Sequence, residues 1–191
     1  MSHIAIIPGS LRKESYNRRL ARAIAHLPAT EGHSFEIVEI GDLPLYDQDT
    51  DSDQPEPARR MKDRIRAADG VIFVTPEYNR SIPGVLKNAI DHGSRPYGDS
   101  CWGGKPAGVL GVTPGISGTA MAQQHLRNVL VSLNMPALQQ PEVFLKWSDD
   151  LVDEDGRVGK QAHDLLEGWM KAFLAHVERH KDADIPQFKQ K

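Results

Sequence analysis

The chain has 191 residues, 39% of them hydrophobic and 26% charged, and a formal net charge of −3. That is enough for one well-buried domain and too rich in apolar residues for global disorder. The charge gives no general attraction to nucleic acid or anionic lipid, no apolar run approaches the roughly 20 residues of a bilayer span, and the single cysteine, Cys101, excludes an internal disulfide or a multi-cysteine metal site.

The N-terminal MSHIAIIPGS lacks a basic leader and a long apolar stretch, so it reads as a strand, and the cytoplasm is the expected compartment. Ile4–Pro8 is a short continuous apolar run, as in a strand buried on both faces. Asn17–Leu27 sets Leu20, Ala21, Ile24 and Leu27 on one helical face, and Pro28 ends it. Phe35–Ile40 alternates apolar residues with glutamates and predicts a strand with one side nearer solvent. After a polar loop, Pro57–Ala68 predicts a charged helix with a stripe of Met61, Ile65 and Ala68. Gly70–Thr75 (GVIFVT) is a third strand, and Pro83–Gly93 a helix with proline in its first turn. Pro106–Val112 predicts a fourth strand, Thr119–Leu133 a helix, and Ala137–Leu145 a fifth strand bulged or at an edge because of Pro141. Residues 151–159 read as a turn, Lys160–Arg179 as a long closing helix, and the polar stretch over 181–191 as a tail outside a single domain of residues 1–180.

Strands that alternate with helices of this length imply a parallel sheet covered on both faces, with ligands at the carboxyl ends of its strands. Two segments leave that rim. Gly9 to Asn17 (GSLRKESYN) offers the hydroxyls of Ser10 and Ser15, the Asn17 amide, the Arg12 guanidinium, loop N–H groups and a helix N-terminus, all suited to a terminal phosphate. The same Ser15 and Asn17 would also serve simply as helix caps. Neither G-x-G-x-x-G nor G-x-x-x-x-G-K-[ST] occurs here. Thr75 to Asp91 (TPEYNRSIPGVLKNAID) begins with a proline-bounded loop whose backbone groups can meet the edge of a planar heterocycle. Tyr78 would flank such a ring or be an ordinary half-buried aromatic; Glu77 would accept from the ligand or hold the loop. A phosphate clamp and a ring clamp at neighbouring strand ends together suit flavin mononucleotide (FMN).

GSLRKESYNRRL and TPEYNRSIPGVLKNAID resemble the two diagnostic segments of the NADPH-dependent FMN reductase family, a flavodoxin-like group that includes bacterial quinone, chromate and azo-dye reductases. The resemblance extends in element order to about Arg179. It implies a three-layer sandwich with a five-stranded parallel sheet of order 2-1-3-4-5 and helices on both faces. It implies FMN phosphate bound by Ser10, Leu11, Arg12, Ser15, Tyr16 and Asn17, and the isoalloxazine edge bound by Pro76, Glu77, Tyr78 and Asn79. A third contact comes from the loop after strand 4, with Val112, Thr113 and Gly115. The chain departs from the pattern at His92, where relatives carry tryptophan, and at Val112, where relatives carry serine. The family implies hydride transfer from NADPH or NADH through FMN to a quinone, azo dye, metal oxyanion or free flavin by a ping-pong mechanism, in a homodimer or homotetramer built on helices 3 and 4.

Other motifs fail on their own chemistry. Asp49, Asp51 and Asp53 imitate a Ca²⁺ loop, but Gln54 and Arg60 stand where glycine and glutamate are needed. His176 and His180 share a helix face without a third ligand, and Ser117 sits in GISG, not in a nucleophile elbow. Two competing readings remain: a flavodoxin-type electron carrier, which NADPH would not reduce, and a flavin-free nucleotide-binding regulator, which would purify colourless.

Overall fold

The computed structural model describes residues 1–183; the part of the expected tail over 184–191 lies outside the described residues. Strands β1 (His3–Pro8), β2 (Ser34–Ile37), β3 (Gly70–Val74), β4 (Ala107–Thr113) and β5 (Phe144–Lys146) form one parallel sheet of order β2-β1-β3-β4-β5. Helices α1 (Tyr16–Ile24), α2 (Glu56–Ala67), α3 (Gly84–Gly93), α4 (Ala120–Ser132) and α5 (Lys160–His180) connect and cover it. This is the flavodoxin-like order that the resemblance implies.

Alternation along each buried strand divides the apolar residues between two cores. Ile4, Ile6, Ile72, Val74, Leu110 and Val112 face Leu20 and Ile24 of α1 and Leu166, Trp169 and Phe173 of α5. Ala5, Ile7, Val71, Phe73, Ala107 and Val109 face Met61 and Ile65 of α2, Leu86 and Ile90 of α3, and Leu126 and Leu130 of α4. Three layers result, with the expected α2 stripe of Met61, Ile65 and Ala68 buried.

Two elements differ from expectation. The second strand stops at Ile37, although Val38 N–H still donates to Ile6 O at 2.8 Å. The fifth strand is split. Ala137 makes a single bridge to Ala107, the chain leaves β4 through the cis Gln140–Pro141 bond, and pairing resumes only at Phe144. Proline has no N–H for a ladder, so the sheet edge is interrupted there.

Lys62 of α2 is a buried cation that the periodicity did not signal; its Nζ donates to Gln54 Oε1 at 2.8 Å and to Asp99 Oδ2 at 2.6 Å. Burial works to raise the Asp99 carboxyl, but the bonds from Lys62 and Arg66 outweigh it and hold it below the usual carboxylate range. His92 is buried too. Its Nε2–H donates to Pro44 O at 2.9 Å, which anchors the long 41–55 loop to α3.

Candidate functional site

Pro8 lies opposite Val74, and Val74 opposite Leu110, so the segments that follow β1, β3 and β4 leave one rim together. Close approach is built in: a Cβ on Gly111 would lie 2.0 Å from Thr75 O, which only glycine avoids.

The first loop is a cup. Gly9 N–H donates to Val74 O at 2.9 Å and fixes the exit from β1. Ser10 is buried, and its Oγ accepts from Arg12 N–H at 3.4 Å. Ser15 caps α1 by accepting from Arg18 N–H at 3.3 Å, while its own N–H donates to Arg12 O at 3.1 Å. The N–H groups of Leu11, Lys13, Glu14, Tyr16 and Asn17 find no acceptor among the described residues. Unsatisfied N–H groups at a helix start form an anion site. The exposed Arg12 has no carboxylate partner among the described residues, and its guanidinium lies 4.8 Å from the Tyr16 ring centroid.

Tyr16 stacks on Trp147 with centroids 4.1 Å apart, and Arg19 lies over the other ring of the pair at 4.8 Å. Trp147 N–H donates to Thr113 O at 2.8 Å, so the stack braces the cup against the end of β4. No local motif marks Trp147, and only the fold brings it here.

Asn17 is placed differently from a free phosphate donor. Its Nδ2–H donates to Val112 O at 2.8 Å, and its Oδ1 accepts from Val112 N–H at 3.0 Å, all buried. Both heteroatoms therefore fasten α1 to β4. Val112 in turn has its backbone polar groups engaged by Asn17 and its side chain in the core.

In the ring loop, Tyr78 N–H donates to Ser81 O at 2.9 Å and Ser81 N–H to Tyr78 O at 3.0 Å. Asn79 and Arg80 between them have φ of 52° and 62°, the pattern of a type I′ turn, which asparagine tolerates well. The turn leaves Tyr78 52% exposed at the rim, and the N–H groups of Glu77 and Asn79 find no acceptor among the described residues. Glu77 holds the loop. Its Oε2 accepts from Met121 N–H at 3.0 Å and Ala122 N–H at 3.2 Å, and its Oε1 from Ser117 Oγ at 3.0 Å. A carboxylate thus caps α4, whose N-cap residue Thr119 gives no side-chain bond to the first backbone N–H groups of the helix. His125, one turn further along α4, meets Ser81 Oγ at 2.9 Å.

The third loop completes the rim. Thr113 Oγ1 accepts from Gly115 N–H at 3.3 Å, and Pro114, Gly115 and Ile116 are exposed. Of the expected site residues, Ser10, Leu11, Arg12, Ser15 and Tyr16 share the cup, Pro76 to Asn79 the neighbouring turn, and Thr113 and Gly115 the third loop. Asn17 and Val112 lie beneath as a fastening.

The donors present fit a phosphate followed by a flat ring: unsatisfied N–H groups, two serine hydroxyls and an uncommitted arginine stand beside a turn with free N–H groups and an aromatic side chain. Among the described residues no group of three or more His, Cys, Asp or Glu side chains could hold a metal ion, and no helix is long and apolar enough to cross a membrane. A flavodoxin-like sheet with such a rim defines a flavin-binding class of protein.

Comparison with known proteins gives the narrower assignment. The sequence profile of NADPH-dependent FMN reductase matches residues 2–149. The chain is 49% identical over 175 residues to a 2-hydroxy-1,4-benzoquinone reductase of a Burkholderia species, an alignment covering 91% of this chain and 95% of that protein. It is 47% identical over 179 residues to a quinone reductase of Pseudomonas putida, covering 93% and 96%. Among solved structures it is similar to the FerB flavoenzyme NAD(P)H:(acceptor) oxidoreductase of Paracoccus denitrificans, with a TM-score of 0.89, 41% identity, and 94% and 99% of the two chains covered. The chain belongs to the NADPH-dependent FMN reductase family and is an NAD(P)H-dependent flavin oxidoreductase.

Proposed function

We propose that this enzyme passes two electrons from a reduced nicotinamide, through FMN held at the β1/β3/β4 rim, to a quinone. The observation that carries the reading is the cup of residues 10–17, whose unpaired N–H groups and Arg12 stand beside the Tyr78–Ser81 turn. Ser10, Ser15, Arg12 and the free N–H groups of Leu11, Lys13, Glu14, Tyr16 and Asn17 hold the phosphate; the backbone of Pro76–Asn79 meets the ring edge, with Tyr78 flanking it and Thr113–Gly115 closing the other side. Asn17 and Glu77 are positioning residues, one fixing the cup to β4 and the other fixing the ring loop to α4. When bound, FMN supplies the hydride-relay chemistry, and no side chain is obliged to act as a base.

The names of the two sequence relatives favour a quinone as acceptor. Azo dyes, metal oxyanions and free flavin are further acceptors for the same assay. Donor and acceptor use one rim in turn, which gives ping-pong kinetics. Leu11, Tyr78, Ile116 and Met121 are exposed around that rim. A second copy that covers them makes a homodimer or homotetramer, and the compartment is the cytoplasm.

The test is a double-mixing experiment under anaerobic conditions. FMN-loaded protein mixed with NADPH loses its yellow colour, and a following pulse of benzoquinone restores it. Colour that survives the first mix supports an electron carrier and overturns the enzyme reading; colourless protein whose melting temperature ignores FMN overturns the flavin reading altogether.

A further inference from the structure

Beside the phosphate cup, side chains from three segments form a column. Tyr16 of α1 and Trp147, just after β5, stack with centroids 4.1 Å apart and planes 19° from parallel. The Arg12 guanidinium lies over the Tyr16 ring at 4.8 Å and the Arg19 guanidinium over the Trp147 ring at 4.8 Å. The gap between the rings is too narrow for a guanidinium, so the two cations bracket the pair. Successive residues of β4 carry its two halves. Asn17, next to Tyr16, is fastened to Val112, and Trp147 N–H donates to Thr113 O at 2.8 Å. Both rings are half-buried and pack against the core on the α1 side of the sheet. Arg19 is tied down further, its Nη2 donating to Val152 O at 3.3 Å. Arg12, at the opposite end, is exposed, and its guanidinium makes no hydrogen bond or ion pair among the described residues.

We propose that Trp147 is a positioning residue for the flavin phosphate, acting through Tyr16, which holds Arg12 at the cup. The inference rests on the reading that the cup binds the phosphate of FMN, and it adds a residue outside the cup that sets how tightly. An unrestrained arginine on an exposed loop spreads over many rotamers, and closing on an anion gives that freedom up. A guanidinium already resting on a ring has less to lose. The two contacts are compatible, because a planar guanidinium lies flat on an aromatic face and keeps its edge N–H groups for phosphate oxygens. Tyr16 needs support of its own to serve as that surface. Trp147 closes one of its faces and so fixes which face is left for Arg12. Packing alone accounts for two rings at the edge of a core. It does not account for an arginine without a carboxylate partner on their outer face, beside free N–H groups that attract the same anion.

Titration of the full-length apoprotein and its variants with FMN and with riboflavin tests this. A residue that acts through Arg12 changes affinity for the phosphate and leaves affinity for the ring alone. Trp147→Ala lowers the ratio of FMN affinity to riboflavin affinity about five- to tenfold, the scale of one cation–ring contact. Trp147→Phe restores a flat face and stays within about twofold of the parent ratio. In an Arg12→Ala background, Trp147→Ala has no further effect on the ratio, as residues acting along one chain of contacts require. If the alanine variant does not fold, Trp147→Leu keeps apolar volume without a flat face and shows the same fall. Equal weakening of both flavins, an unchanged ratio without the indole, or a full fall in the Arg12→Ala background overturns the inference and leaves FMN binding at the cup standing. A parent protein that binds the two flavins equally overturns the cup reading itself, and this inference with it.

Discussion

Replacing Asn17 by alanine separates a fastening from a ligand. The Asn17 side chain satisfies Val112 N–H at 3.0 Å and Val112 O at 2.8 Å, in a site where Asn17 is 3% exposed and Val112 is 1% exposed. Alanine leaves both backbone groups buried without partners. Each such group costs about 1–3 kcal/mol, so Asn17→Ala destabilises the FMN-free protein by about 2–6 kcal/mol. That is a large part of the roughly 5–15 kcal/mol that holds a domain together. Asn17→Asp keeps an acceptor for Val112 N–H but sets a carboxylate oxygen against Val112 O, so it is at least as harmful. Urea unfolding of the apoprotein, followed by tryptophan fluorescence, measures the change through the transition midpoint at constant slope. A loss below about 0.5 kcal/mol in the apoprotein, with weaker FMN binding as the only defect, refutes the reasoning and makes Asn17 a direct phosphate ligand.

Glu77→Gln removes the charge at the start of α4 while keeping its shape; it costs about 1 kcal/mol and speeds amide exchange at Met121 and Ala122, and unchanged exchange there contradicts the capping role. Burial pushes the Cys101 thiol up to about 12, so iodoacetamide leaves the folded protein unmodified at mildly alkaline pH and modifies it fully in urea; modification of the folded form counts against this. The depressed Asp99 carboxyl contributes stability that is present above its unfolded value and lost as pH falls through its folded value. Asp99→Asn is therefore less stable than the parent at neutral pH, and the gap closes in strong acid; a gap independent of pH shows that the Lys62 and Arg66 pairs contribute nothing.

The legible part of this fold was what short-range pattern carries. Apolar runs such as Ile4–Pro8 and Gly70–Thr75 are buried on both faces, and their continuity in sequence reports that directly. The stripe of Met61 and Ile65 marked the buried face of α2 in the same way. The site was legible as residue types at strand ends, not as hydrogen bonds. Asn17 reaches Val112, Glu77 reaches Met121, and Tyr16 meets Trp147 only after the chain has crossed the sheet. No local spacing encodes which neighbour a polar side chain will find there. The same holds for Lys62, whose place in a helical period is ordinary and whose burial depends on Gln54 and Asp99. The fifth strand lies at the sheet edge, as Pro141 implied, and it is shorter than its β-prone sequence suggested because proline supplies no donor for a ladder.

In the proposed flavin site the cup of residues 10–17 grips a phosphate beside the ring turn. Equilibrium titration of the apoprotein with FMN and with riboflavin, which lacks the phosphate, tests it most directly. Charge-assisted bonds from Arg12 and the free N–H groups predict FMN binding at least about a hundredfold tighter than riboflavin, with most of that margin lost in Arg12→Ala. Equal affinity for the two flavins contradicts the account.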